Sequence, residues 1–380
     1  MPRVRRIRRK KPRAGSVWKK LLLWGVLGTL VLAAAAVAGS YLYVRAYLKS
    51  DGFLAMLEQS AVDDMNVETA RIDPLDWDGS GIRCGGVTME GHEFLTSLQA
   101  RNIETEFSRW ELLKRAFVIT SVNIAELKLR LAPVPFRFRE KPEGARSWAE
   151  ENILPDTFRL EKGSIDSLSV SYGEAGRPYV LDGTRVESAY DAGSSQYRFE
   201  MQGGRLLLPF KGCPEFSLMS GTAQFNHASR RVNVPSCRLT TAAGGYLDIK
   251  GDWDGSSSSW TANMVVNGVP ASSVLEGHWK KHVQGSVSGG IDLRGGRVAV
   301  SNEAGLARLQ GGMLTGLPVL DRLALFCGSS RFRNLPLHEA SAQFSYQESA
   351  WHISNILVES ENLVKVEGWL EIVKGGALTG

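Results

Sequence analysis

The chain has 380 residues, of which 43% are apolar, and a formal net charge of +5. This length and apolar content suffice for one large domain or two medium ones. Residues 1–50 hold twelve Lys or Arg and no Asp or Glu, so residues 51–380 have 45 − 12 = 33 basic against 40 acidic residues, a net charge of −7. The positive charge therefore belongs to the amino-terminal segment, and it does not support nucleic-acid binding by the rest of the chain.

An uncharged apolar segment runs from Leu21 to Val44, after the basic residues. A helix over these residues would be ~36 Å long, enough to cross the ~30 Å hydrocarbon core of a bilayer. Ten Lys or Arg precede it, and positive charge favours the cytoplasmic side. We therefore predict a basic cytoplasmic arm over residues 1–20, one transmembrane helix over residues 21–44, and the remaining chain on the far side. The alternative is a signal peptide cleaved before Gly39, because Ala36-Val37-Ala38 resembles a cleavage site.

Beyond this segment, a short helical pattern gives way to alternation with a period of two. Residues Asp51–Val62 predict a short helix with one apolar side. Apolar and polar residues then alternate in many short segments, which is typical of strands with one apolar and one polar face. The clearest are residues 127–131, 165–172, 197–201, 247–250 and 364–372. Further short helices are predicted at Arg109–Ala116, Ser147–Leu154, Pro270–His282 and Leu317–Phe326.

Glycine pairs and a repeated tetrapeptide mark the expected turns. The pairs include residues 85–86, 203–204, 244–245, 289–290 and 311–312. Asp-Trp-Asp-Gly occurs at 76–79 and 252–255, each time followed by serine, which fits a hairpin tip. The proline-rich residues 133–144 are predicted to connect an N-terminal β region over residues 45–140 with a C-terminal β domain over residues 141–380.

The sequence contains no recognisable catalytic or metal-binding motif. His278 and His282 have helical spacing but lack a third ligand and the HExxH pattern. There is no GxSxG, P-loop or helix-opening GxGxxG, so we predict no enzyme activity, no cofactor and no metal. The cysteines lack zinc spacing, and the predicted compartment permits disulfides, with Cys213 and Cys237 the nearest in sequence; the full set is Cys84, Cys213, Cys237 and Cys327.

A mainly β chain with few helices must cover the apolar face of its sheet. The sheet can close on itself, stack on a second sheet, or leave a trough for another apolar molecule. Periodicity alone does not choose among these arrangements. The apolar face is thus either a packed core or an open groove.

The order of these features resembles the AsmA-like family, the AsmA/TamB-type envelope proteins. The basic arm, the apolar segment and LYVRAYLKSDGFLAMLEQSAV resemble the family's anchor. Residues 97–132 resemble its recurring unit, through Leu112-Leu113 and an Ile119, Val122, Ile124 strand leading into Leu127, Leu129 and Leu131. Residues 305–326 and 356–372 resemble its C-terminal module. Relatives usually add further strands where this chain stops, so it resembles a short or truncated member.

The resemblance implies an elongated, curved antiparallel β-sheet with a few short helices, whose apolar face forms a groove of roughly 30 strands spaced ~4.8 Å apart. It also implies an inner-membrane, single-pass protein with a cytoplasmic N-terminus and a periplasmic main domain, acting in phospholipid transport or outer-membrane biogenesis. The partners would be phospholipid, the inner membrane and envelope proteins, with no nucleic acid. The candidate groove residues are Leu127, Leu129, Leu131, Ile165, Leu168, Val170, Leu247 and Ile249. The alternatives are a membrane-tethered scaffold or assembly factor that binds protein partners without carrying lipid, and an envelope hydrolase with a site assembled from distant residues.

Overall fold

The computed structural model describes residues 46, 50–77, 81–91, 93–108, 116–134, 157–174, 176–209, 213–226, 228–275, 277, 279–296, 300–347, 350–361, 363–373 and 378–379. The predicted basic arm, the predicted transmembrane helix, the helix predicted at Ser147–Leu154 and nearly all of the one at Arg109–Ala116 lie outside these residues. Within them, no helix has both the length and the apolar character that crossing a membrane requires.

The described chain is mainly β, as the alternation predicts, with few helices. The helices are α1 (Asp51–Met65), α2 (Ala271–Val274), α3 (Trp279–His282) and α4 (Pro318–Phe326), and a 3-10 turn covers Ser330–Arg333. The strands are β1 (Thr69–Ile72), β2 (Leu75–Trp77), β3 (Gly81–Glu90), β4 (Leu95–Phe107), β5 (Ala116–Leu131), β6 (Thr157–Leu160), β7 (Lys162–Tyr172), β8 (Tyr179–Asp191), β9 (Gln196–Gln202), β10 (Arg205–Leu207), β11 (Phe216–Asn226), β12 (Arg231–Thr241), β13 (Tyr246–Asp254), β14 (Ser259–Pro270), β15 (Val283–Gly295), β16 (Val300–Thr315), β17 (Asn334–Pro336), β18 (Glu339–Gln347), β19 (Ala350–Ser360), β20 (Val364–Val373) and β21 (Leu378–Thr379).

All twenty-one strands belong to one sheet, and they follow one another across it in chain order. Four positions are shared by two short strands, namely β1 with β2, β6 with β7, β9 with β10 and β17 with β18. The described sheet therefore has 21 − 4 = 17 positions, or ~77 Å at ~4.8 Å per step if it were flat. This is fewer than the roughly 30 strands expected, because several strands are long, up to 16 residues in β5 and β16.

The sheet is mixed, so the expectation of a wholly antiparallel sheet is wrong at one place. Strand β5 pairs in parallel with β6 and β7, in a register that joins Ile124 to Ile165 and Leu129 to Val170. Every other pairing among the described strands is antiparallel. A parallel pair requires a connection of a dozen or more residues, and the chain between Leu131 and Thr157 supplies that length.

Several predicted turns are instead positions inside strands. The glycine pairs at 85–86, 289–290 and 311–312 lie within β3, β15 and β16. At Gly289 and Gly305 a Cβ would collide with the backbone or ring of the neighbouring strand, so glycine there permits close strand approach. The pair at 244–245 does form a turn, between β12 and β13, and the second Asp-Trp-Asp-Gly ends β13 at the tip of the β13–β14 hairpin.

Two of the predicted helices are confirmed. The helix predicted at Asp51–Val62 is α1, which continues to Met65. The Ser50 hydroxyl accepts a hydrogen bond from the Phe53 amide (3.3 Å) and caps its start, while Asn66 in the left-handed region ends it. The segment at Leu317–Phe326 forms α4, whereas Pro270–His282 breaks into the single turns α2 and α3 around Gly277, whose φ is +57°.

The two ends of the strands differ. The helical margin is the end at which α1 enters β1, α2 and α3 join β14 to β15, and α4 follows β16. The hairpin margin is the opposite end, where turns join β8 to β9, β11 to β12 and β13 to β14. Both margins run the length of the described sheet.

Two small clusters of buried side chains lie toward the helical margin. The first contains Phe216, Leu218, Leu239, Leu247 and Val269, on β11 to β14. The second contains Leu320, Leu335 and Leu337, where α4 packs over β16 to β19. Elsewhere on the described sheet most apolar side chains are half-buried.

Candidate functional site

One row of register partners crosses the sheet from β2 to β20, with glycine at two of its sixteen positions. Each member is the register partner of the next, so all of them lie on one face. The apolar row consists of Leu75, Cys84, Ile103, Ile124, Ile165, Val186, Met201, Gly221, Cys237, Ile249, Met264, Ile291, Gly305, Phe344, Ile353 and Leu370. None of these side chains is charged, and fifteen steps of ~4.8 Å would make a flat row ~72 Å long. We call the side of the sheet that carries this row the apolar face.

The eight candidate residues all lie on the apolar face. Ile165 and Ile249 belong to the apolar row itself. In the neighbouring rows, Leu127 is the partner of Leu168, and Leu129 of Val170. Leu131 is the partner of Tyr172, and Leu247 lies between Leu239 and Val266.

Burial separates Leu247 from the other seven candidates. Its side chain is only 8% exposed, inside the first buried cluster. The other seven are half-buried, an exposure that leaves part of each side chain accessible. Leu247 therefore contributes to packing, whereas the remaining candidates form an incompletely covered surface.

Between β3 and β9 that surface combines half-buried and buried side chains. Leu98, Ile103 and Ile124 are half-buried there, like the seven candidates. The described helices lie elsewhere: α1 contacts β1, and α4 covers the face at β16 to β19 through Leu320 and Leu323. Among the described residues, α4 thus covers the apolar face toward its C-terminal end, while in the N-terminal half Cys84, Ala100 and Val186 are buried beside half-buried neighbours.

The opposite face is polar and carries ladders of ion pairs. Arg238 donates two hydrogen bonds to the Asp248 carboxylate, at 2.7 and 2.8 Å. These bonds hold the pKa of Asp248 below its ordinary value. On β5, Glu126 lies 2.6 Å from Lys128 Nζ and 3.1 Å from Arg101 Nη1, and the hydrogen bond from Lys128 is the main cause of its lowered pKa. Ion pairs therefore neutralise much of the charge on this face.

Aromatic side chains line the apolar face along the hairpin margin. Tyr190, Tyr197, Phe225, Val232, Trp253 and Trp260 are successive register partners from β8 to β14. The rings of Tyr190 and Tyr197 have centroids 5.0 Å apart, and Trp253 is 43% exposed. We call these six residues, five aromatic and one valine, the aromatic row. Trp253 and Trp260 lie at equal distances from the β13–β14 turn and are register partners.

The cysteines are free thiols in the structure, so the pairing considered for Cys213 and Cys237 is not formed. Burial raises the pKa of the Cys84 and Cys237 thiols, which keeps these members of the apolar row neutral. Within the described chain, no group of three or more His, Cys, Asp or Glu could hold a metal ion. His282 Nδ1 lies 2.7 Å from the Thr315 carbonyl oxygen and so links α3 to the end of β16.

The cavities lie mainly on the polar face. One of about 480 Å³ near the hairpin margin is lined by polar and charged groups, including Asn233, Asp252 and the Arg231–Asp254 ion pair, and by Val232, Trp253 and Trp260 of the aromatic row. Its lining is therefore mixed and does not by itself indicate an acyl chain. Comparison with protein-family models, with curated proteins and with solved structures finds no match for this chain.

Proposed function

We propose that this chain is a membrane-anchored envelope protein whose apolar sheet face is an elongated, curved groove for phospholipid acyl chains, in phospholipid transport or outer-membrane biogenesis. The observation that carries the proposal is the apolar row, which crosses sixteen strands without a charged member. The predicted anchor is the basis for the membrane attachment, and the resemblance to the AsmA-like family is the basis for the envelope location. Its action is physical: it shelters acyl chains from water and catalyses no reaction.

The dimensions of the apolar face suit acyl chains. Along β5, apolar side chains run from Val122 to Leu131, nine residue steps or ~30 Å. An acyl chain spans about half of the ~30 Å hydrocarbon core, or ~15 Å. A chain can therefore lie wholly on the face while its head group stays in solvent at a margin. Each CH₂ removed from water contributes ~0.8 kcal/mol, so a few methylenes give measurable binding.

The half-burial of the seven candidates supports a lipid surface over a dry core. A dry core brings apolar side chains to very low exposure, as at Leu239 (2%) and Leu335 (1%). Leu129 and Ile165 do not reach that state. The aromatic row adds support, because Tyr and Trp favour positions where an apolar body meets a polar boundary.

Site-specific photocrosslinking tests the proposal. The full chain, expressed in a Gram-negative envelope, would carry p-benzoylphenylalanine at Ile165 or, as the matched control, at Ser164. These neighbours lie on opposite faces of β7, since Ile165 is the partner of Ile124 and Ser164 of Asn123. We expect lipid adducts by mass spectrometry at Ile165 and none at Ser164. Crosslinks to protein alone, or equal lipid yield at both positions, would contradict the proposal.

Paired substitutions separate lipid contact from packing. Leu129→Asp places a charge on the open part of the face, so we expect loss of co-purifying lipid with little change in thermal unfolding. Leu239→Asp buries an unpaired carboxylate in the first cluster, so we expect the fold to lose several kcal/mol. On the same samples, circular dichroism measures thermal unfolding and lipid analysis measures the co-purifying lipid. A collapse of the Leu129→Asp fold would show that this strand faces a dry core.

A further inference from the structure

Helix α4 presents large apolar residues to solvent as well as to the sheet. Its inner side packs through Leu320, Leu323 and Ala324 on the second buried cluster. Its outer side and end carry Val319, Leu325 and Phe326, which are 60%, 75% and 91% exposed. A helix that only capped the sheet would need apolar residues on its inner side alone. The outer residues add nothing to the packing of the sheet.

A second exposed aromatic residue lies close by on α3. The Thr315 hydroxyl donates a hydrogen bond to the Lys281 carbonyl oxygen (3.3 Å), and His282 Nδ1 lies 2.7 Å from the Thr315 carbonyl oxygen. These contacts join α3 to the residues that lead into α4. Trp279, the first residue of α3, is 46% exposed. The β14–β15 connection and the β16–β17 connection thus both place exposed apolar side chains at the same part of the helical margin.

The same elements are strongly basic. Together, α3, α4 and the 3-10 turn contain Lys280, Lys281, Arg322, Arg331 and Arg333 against one acidic residue, Asp321, a net charge of 5 − 1 = +4. Arg333 lies 3.7 Å from Asp321, and Arg331 lies 3.9 Å from Glu361 of the β19–β20 turn. Both of these pairs are long and exposed, so they neutralise the surface weakly.

We propose that α3, α4 and the 3-10 turn form a docking surface for an anionic lipid bilayer. Phe326, Leu325, Val319 and Trp279 would enter the boundary between head groups and acyl chains, and the lysines and arginines would face anionic head groups. Short elements with apolar and aromatic residues beside Lys and Arg bind bilayers in this way, with each basic residue adding ~1 kcal/mol near an anionic surface. The charge is what selects a bilayer over a neutral protein partner. This docking does not depend on lipid carriage by the apolar face.

The exposed thiol of Cys327, next to Phe326, provides a reporter at the site itself. Cys84 is buried and Cys213 and Cys237 are half-buried, so Cys327 should label first. The full chain, labelled there with an environment-sensitive fluorophore, would be reconstituted in phosphatidylcholine vesicles with or without phosphatidylglycerol. The predicted anchor is present in both cases, so only lipid charge differs. We expect a blue-shifted emission and quenching by spin-labelled lipid, both stronger with phosphatidylglycerol.

Three variants sharpen this test. Phe326→Asp should abolish the shift and lower the membrane-bound fraction of the label by about tenfold, the loss expected for one large apolar side chain. Met219→Asp, at another exposed apolar residue (58%), should leave the shift unchanged, and Cys327→Ser should remove the labelling. Equal emission with both lipids, or no effect of Phe326→Asp, would overturn the proposal. A shift that appears in detergent and grows with protein concentration would also overturn it, because a second copy would then cover α4.

Discussion

At the scale of single residues, Asp254 organises the tip of the β13–β14 hairpin. Its carboxylate accepts hydrogen bonds from the Ser256 hydroxyl, the Ser256 amide (2.9 Å) and Arg231 Nε (3.1 Å). The bond from the Ser256 hydroxyl is the main reason that the pKa of Asp254 falls to about 2. A carboxylate in this state holds the turn that places Trp253 opposite Trp260.

We expect Ser256→Ala to raise the pKa of Asp254 toward its ordinary value near ~3.9. Because the folded-state pKa is depressed, the charged form contributes stability that is complete above about pH 4 and is lost as the pH falls through about 2. Carboxyl-detected NMR titration of the two proteins measures the shift. Ser258→Ala is the matched control, since the Ser258 hydroxyl is not among the groups that lower this pKa. An unchanged titration in Ser256→Ala would show that the backbone amides and Arg231 set the pKa without the hydroxyl.

Residue alternation was enough to place Leu127, Leu129 and Leu131 on one face of β5, because the side-chain period of a strand is two. It was not enough for β7, where a register irregularity after Ile165 brings Leu168 and Val170 to the same face as Ile165. It could not distinguish Leu247 from Ile249, two residues apart on β13, since burial depends on Leu239 and Val269 packing from other strands. Which side chains other strands bury depends on the tertiary structure, and a local pattern of residues does not predict it.

At the scale of elements, adjacent glycines in the β12–β13 turn have different surroundings. Gly244 and Gly245 both have positive φ, +100° and +78°. A Cβ on Gly244 would meet nothing within 4 Å, whereas one on Gly245 would lie 2.6 Å from the Gly268 carbonyl carbon and the Val269 Cα. Val269 belongs to the first buried cluster, so this turn packs directly against it.

Gly245→Ala should therefore destabilise the fold more than Gly244→Ala. Both changes strain the backbone by ~1–3 kcal/mol, but the first also forces two backbone segments apart. Thermal unfolding followed by circular dichroism compares the two proteins directly. Equal melting temperatures would mean that the turn yields without disturbing Val269.

The helices and strands also show which parts of the fold the sequence patterns can predict. Helices α1 and α4 were predictable because a capping serine and a proline mark their starts. The parallel pairing of β5 with β7 was not, because alternation is the same whichever way a strand runs. The glycine pairs inside β3, β15 and β16 were misinterpreted as turns for a related reason: glycine serves both turns and close strand approach.

At the scale of the whole molecule, the predicted anchor orients the sheet. Ten Lys or Arg precede Leu21, whereas Arg45 and Lys49 are the basic residues that closely follow Val44. This asymmetry favours a cytoplasmic amino terminus and a sheet on the far side. The proposed acyl-chain groove requires that orientation, since both membranes of the envelope border the periplasm.

A reporter enzyme fused after Gly380 should be active in its periplasmic form and inactive in its cytoplasmic form. Replacing Arg3, Arg5, Arg6, Arg8 and Arg9 with glutamate should weaken this preference, because it removes half of the basic residues before the helix. The matched control replaces the five basic residues of β12 to β16, namely Arg231, Arg238, Lys250, Arg294 and Arg308. Cytoplasmic activity of the unaltered fusion would contradict the predicted orientation.

The chain-order arrangement of the strands has a consequence for how the molecule assembles. A nascent chain can add each new strand to the growing edge as soon as it emerges, because its partner has just been made. Most hairpins close a short loop at small entropic cost, whereas the steps from Pro270 to Val283, from Thr315 to Asn334 and, longest of the three, from Leu131 to Thr157 must await a longer segment. The sheet is therefore expected to form from β3 toward the C-terminus, and the pairing of β6 and β7 with β5 is expected to be the slowest step. For the same reason, inserting a hairpin into the chain would lengthen the sheet and leave the order of the existing strands unchanged.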